Sequence, residues 1–160
     1  MRPFFVQLFV AFLFFINSCG KREYTAEQKM IGTWKSLQTT TDLYERGKIA
    51  ESFTILSDEY NFSQLAFSKN GTFTSSGRYQ VNDTDTFSVV QLEPQRGTYR
   101  IINNILTTKI ENVDEEAKMT FRFDDNNHLT LRSAPMKIAG LGVQDSNKQF
   151  VSTVFYIKEK

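Results

Sequence analysis

The chain has 160 residues, 19 basic and 18 acidic side chains, one cysteine and one histidine. A charge balance this even excludes a phosphate-tracking nucleic-acid binder, which needs a basic surplus gathered on one face. A lone cysteine has no disulfide partner.

The first stretch is a leader. Arg2 supplies the positive charge, and Phe4 to Ile16 is apolar except for Gln7. That run of about a dozen residues is short of the roughly 20 that span a bilayer, and it reads as a secretory signal peptide. Ile16-Asn17-Ser18-Cys19 then resembles a bacterial lipoprotein signal: an aliphatic residue, a loose position, a small residue and the cysteine that is acylated. Residues 1–18 are the expected signal peptide. Cys19 is the expected lipid attachment site and the first residue of the mature chain. Two or more acyl chains, at about 0.8 kcal/mol per buried methylene, make such an anchor stable. Gly20, in place of Asp, favours the outer membrane if the host is Gram-negative.

Without Arg2 the mature chain carries 18 basic and 18 acidic side chains. Residues 19–30 read as a polar tether with a helical turn from Thr25 to Met30, and residues 31–160 as one domain with one core.

Gly32-Thr33-Trp34 opens the folded part. Residues 45–60 carry a mixed signal, since Phe53, Leu56 and Tyr60 suit a helix face and Phe53-Thr54-Ile55 a strand. They read as an irregular connection. Leu65 and Phe67 alternate with polar neighbours, and Asn70-Gly71 predicts a type I′ hairpin turn with positive φ at both residues. The return strand places Phe73, Ser75, Gly77, Tyr79 and Val81 on one face.

The pattern repeats. Phe87 to Leu92 is a strand broken by Pro94-Gln95-Arg96-Gly97, and Thr98 to Ile102 begins another. Leu106, Thr108 and Ile110 share a face, as do Met119, Phe121 and Phe123. Leu129, Leu131 and Ser133 follow, then a long loop with Met136, Ile138, Leu141 and Val143, and a final strand from Phe150 to Lys158. Short strands with a polar turn every ten or so residues predict an all-β antiparallel fold, either a sandwich or an up-and-down barrel.

Gly32-Thr33-Trp34, the run from Leu65 to Phe73 with Gly77-Arg78-Tyr79, and the run from Gly97 to Leu106 together resemble the lipocalin-like domains of small Bacteroidota lipoproteins, over Gly32 to Lys158. The resemblance implies an eight-stranded up-and-down barrel. It also implies that Trp34, next to Gly32, plugs the closed end beneath a basic residue from near the last strand, for which Lys158 stands nearest.

Enzymatic constellations are thin. His128 sits in the turn after Asp124-Asp125-Asn126-Asn127 and reads as a solvated turn residue. With Cys19 acylated, neither Cys–His chemistry nor a zinc site of the usual ligands remains, and no Gly-x-Ser-x-Gly elbow exists. The acidic turn lacks the spaced ligands of a calcium loop. The chain is expected to be no enzyme, with no cofactor and no metal.

An eight-stranded barrel can be filled by its side chains or can hold one small ligand. The inward row mixes large residues (Phe73, Tyr79, Leu106, Phe121, Phe123) with small ones (Ser75, Gly77, Thr108), which leaves room for a ligand-binding site. The expected protein is a monomeric, lipid-anchored envelope carrier of a small apolar or amphipathic molecule. The alternative is a filled barrel that docks an envelope protein through its outer surface or loops.

Overall fold

The computed structural model describes residues 24–83, 86–125, 127–137 and 148–160. The leader, Cys19 and the loop residues Ile138, Leu141 and Val143 lie outside them.

A short helix, α1 (Ala26–Met30), comes first. It is started by a capping box in which the Thr25 side chain accepts from the Gln28 amide and the Gln28 side chain accepts from the Thr25 amide. The strands that follow are β1 (Gly32–Glu45), β2 (Lys48–Leu56), β3 (Phe62–Phe67), β4 (Thr72–Asp83), β5 (Thr86–Ile102), β6 (Ile105–Ile110), β7 (Glu116–Phe123), β8 (His128–Ser133), β9 (Met136–Lys137) and β10 (Lys148–Lys158).

Eight of them close a ring in the order β1-β3-β4-β5-β6-β7-β8-β10, and β10 pairs back with β1 from Trp34↔Lys158 to Glu45↔Lys148. Every pairing is antiparallel. The fold is therefore a closed barrel, not a sandwich. Closure gives every ring strand a ring neighbour on both sides, with β2 added on β1 and β9 on β10, which removes the open edges that a flat sheet presents. Register shifts between Ser36 and Gln38 on β1 and between Ser75 and Gly77 on β4 bend the wall, as bulges do.

Three local expectations are corrected. Residues 48–56, read as irregular, form β2, which pairs with the upper part of β1 from Glu45↔Lys48 to Gln38↔Leu56. Its turn is Arg46-Gly47, both at positive φ (50° and 78°), the geometry that a two-residue hairpin with right-handed twist demands. In Asn70-Gly71 only the glycine has positive φ (78°). The loop is four residues long, and the Asn70 carboxamide oxygen accepts from the Thr72 amide and hydroxyl. Pro94 does not end a strand, because β5 runs through it. There β5 has no β6 partner, since that pairing begins at Gly97, and against β4 Pro94 falls in the register shift between Ser75↔Gln95 and Gly77↔Leu92, so no ladder bond is lost at the proline.

Wall height is uneven. β1, β4, β5 and β10 have 14, 12, 17 and 11 residues, whereas β6 and β8 have 6 each. The buried apolar residues (Met30, Trp34, Phe67, Phe73, Leu106, Phe121, Leu129, Leu131, Tyr156) form one cluster at the end where β1 starts, and α1 covers that end. One end is packed shut. The other is where the interior has space.

Candidate functional site

The closed end is built around Trp34, whose relative exposure is 0%. Its indole Nε1 donates to the Met30 carbonyl at 2.7 Å, so the ring is fixed to the last turn of α1. Phe123 packs against it at 5.9 Å between ring centroids. Lys158 comes over the indole with Nζ 5.1 Å from the ring centroid and donates to the Lys29 carbonyl at 3.1 Å. Burial holds this ammonium below its ordinary pKa. Gly32 has φ 129°, and a Cβ there would lie 2.6 Å from the Lys158 Cε. The glycine is thus what lets the lysine stem pass over the tryptophan.

Above this floor lies a cavity of about 280 Å³. β3 supplies Leu65 and Phe67, and β4 supplies Phe73 and Ser75. β6 gives Thr108 and Ile110, β7 Met119, β8 Leu131 and Ser133, and β10 Ser152, Val154 and Tyr156. The register explains this set, because Phe67↔Phe73, Leu65↔Ser75, Phe121↔Leu131 and Val154↔Leu131 are directly opposed pairs on the inner face. Ile110 and Ser133 are the last residues of β6 and β8, so the cavity reaches the rim on the low side of the wall. Its surface is mainly hydrocarbon, with hydroxyls set into it and no charged side chain among the described residues.

Several hydroxyls are engaged within the protein. Ser133 Oγ accepts from the Ser152 amide (3.0 Å), Ser152 Oγ pairs with Thr41 Oγ1 (3.1 Å), and Tyr156 OH pairs with Ser63 Oγ (3.1 Å). Burial raises the Tyr156 pKa, and the Ser63 bond opposes that shift.

The residues expected to bind ligand separate into three groups. Phe73, Ser75 and Thr108 line the cavity. Leu106, Phe121 and Phe123 belong to the packing around Trp34 beneath it, with Phe121 and Phe123 edge to face at 5.5 Å. Gly77 and Tyr79 lie elsewhere. A Cβ on Gly77 would stand 2.5 Å from the Phe62 carbonyl oxygen, so this glycine permits close approach of β4 to β3 and provides no interior space. Tyr79 is 44% exposed above the ring, beside Leu92 and Ile55 in a cleft of about 220 Å³.

Leu65, Phe67, Ile110, Met119, Leu131, Ser133, Ser152, Val154 and Tyr156 line the cavity without being singled out by the sequence as site residues. Their signal was the same alternation, carried by strands whose height relative to the floor the sequence does not display. His128 pairs through Nδ1 with Asp125 at 2.8 Å in an exposed turn. Among the described residues, no group of three or more His, Cys, Asp or Glu is placed to hold a metal.

No protein-family model and no curated protein matches the chain. Among solved structures, a redesigned β-barrel is similar to it at 10% sequence identity, over 84% of this chain and 95% of that one, with a TM-score of 0.36.

Proposed function

We propose that this protein is a non-enzymatic, lipid-anchored envelope lipoprotein whose barrel carries a small apolar or amphipathic molecule. The observation that carries the reading is the 280 Å³ cavity, walled by hydrocarbon and seated on a packed floor. Its volume is at the lower edge of the roughly 300–1,000 Å³ usual for small-molecule sites. A barrel filled only for stability would close such a space with larger side chains, yet Ser75, Ser133 and Ser152 stand there. Cys19 supplies the anchor on this reading, and residues 20–29 the tether.

Native mass spectrometry of residues 21–160, after incubation with total envelope lipid, tests the carrier reading. A discrete adduct that Ser75→Phe removes is the expected result. A bare protein mass, under conditions where a known carrier keeps its ligand, would reject it. For the anchor, the wild-type chain should enter the membrane fraction with an acylated N-terminal peptide, and Cys19→Ala should not.

One observation favours a second reading, a docking lipoprotein. β2 pairs only with β1 among the described strands, and it exposes Phe53 (54%) and Ile55 (58%) on the face that continues the barrel interior. Loss of a co-purifying envelope protein on Phe53→Ser, with no lipid adduct in the wild type, would favour docking.

A further inference from the structure

We propose that the cavity selects an uncharged amphipathic molecule, ending in a hydroxyl or carbonyl, over the carboxylate or amine with the same carbon skeleton. This rests on reading the cavity as a ligand site.

Among the described residues, the wall contains no cation to pair with a carboxylate and no anion to pair with an ammonium. An ion entering it would lose its water without a counter-charge, so an acid would have to enter as its neutral form. The free polar capacity of the wall is of another kind. Ser133, Ser152 and Tyr156 already make hydrogen bonds within the protein. Ser75 and Thr108 make none through their hydroxyls, and among the described residues no fully buried side-chain oxygen or nitrogen lacks a partner. The Thr108 hydroxyl therefore opens into the space it lines, and the Ser75 hydroxyl borders both this space and the cleft beside Leu92 and Pro94.

They stand on β4 and β6, on either side of β5, at different heights: Ser75 is opposite Gln95 and Thr108 opposite Tyr99, four positions along β5. A hydroxyl both donates and accepts, so either one alone matches an alcohol or a carbonyl without a net charge. Two cations share the inward face of β10 outside the lining: Lys148, four residues above Ser152, and Lys158, two residues below Tyr156, which is held over Trp34 and bonded to the Lys29 carbonyl at the closed end. Neither borders the space a ligand would fill.

Octanol, octanoate and octylamine, titrated near neutral pH into the full chain in phospholipid nanodiscs, test this. The reporter is the ¹³C-methyl resonance of methionine, because Met119 lines the cavity while Met30 is packed at the closed end. Octanol should saturate the Met119 shift at a free concentration at least about tenfold below either ion, which corresponds to about 1.4 kcal/mol. Thr108→Val, which keeps the shape and removes the hydroxyl, should weaken octanol while leaving the Met30 resonance in place. An ion that saturates Met119 at the same concentration as octanol overturns the selection for an uncharged end and leaves the cavity a ligand site. If no probe moves a visible Met119 resonance, the carrier reading fails and this inference with it.

Discussion

Trp34 joins two kinds of interaction that usually compete. Its ring is buried among apolar neighbours, and its single polar atom is satisfied by the Met30 carbonyl. A bond of this type contributes about 1 kcal/mol net, and leaving the buried carbonyl unpaired costs about 1–3 kcal/mol. Trp34→Phe should therefore lower stability by about 1–3 kcal/mol, and Trp34→Ala by about 3–5 kcal/mol because a cavity is added. Urea denaturation followed by circular dichroism separates the two. Tyr156 gives the residue scale a pH dependence. Burial holds its phenol above the ordinary value of 10.0, so the folded chain keeps a proton that the unfolded chain releases. Its contribution is whole below pH 10.0 and is lost as the pH rises through the folded-state value. Lys158 acts in the opposite sense: its depressed pKa means that the fold gains stability as pH approaches 10.5. Comparison with Tyr156→Phe isolates the tyrosine. The stability gap between wild type and variant should be constant below the unfolded-state value of 10.0 and narrow as the pH rises above it. A constant gap would show that the phenol titrates alike in both states.

At the scale of the element, turn chemistry separates what the sequence displayed from what it hid. The alternation of Leu65 and Phe67, of Leu106, Thr108 and Ile110, and of Met119, Phe121 and Phe123 foretold strands and their inner faces correctly. It did so because one side of each faces the barrel interior. β2 was hidden for two reasons. Its inward residues Phe53 and Ile55 are exposed, so no buried face imposed a clean period. Its turn is Arg46-Gly47, where arginine takes φ 50°, a conformation more typical of Gly, Asn or Asp. Arg46→Asn should relieve part of that strain and raise the unfolding free energy by up to about 1 kcal/mol. Hydrogen exchange should show the gain as slower exchange across the β1–β2 hairpin, with β6 to β8 unchanged. Faster exchange would mean that the arginine side chain makes a compensating contact. Pro94 misled for a related reason: a proline ends a strand only where its missing amide is needed, and β5 needs none there.

At the scale of the whole molecule, the site depends on how unequal strands combine. Sequence alternation identified an inner row but not its height, and height decides whether a residue packs the floor or borders the space. Leu106 and Thr108 are two residues apart on one strand, yet the first is part of the core around Trp34 and the second lines the cavity. That difference arises from the closure of β1 on β10 and from the short β6 and β8, which no local window contains. The same geometry sets stability against function. Side chains that line an unfilled space forgo packing contacts, so a protein that keeps 280 Å³ open gives up stability for it. Ser75→Leu places hydrocarbon in that space at a position whose hydroxyl holds nothing within the protein. It should raise the unfolding free energy by about 1–2 kcal/mol and abolish the octanol response of Met119. Ser152→Leu is the contrasting case, because it removes the bond to Thr41, and its gain should be smaller or reversed. If Ser75→Leu instead destabilises the barrel and leaves the octanol response intact, the space beside Ser75 is not the binding volume. The ligand would then have to sit higher, in the mouth between Ile55 and Leu92.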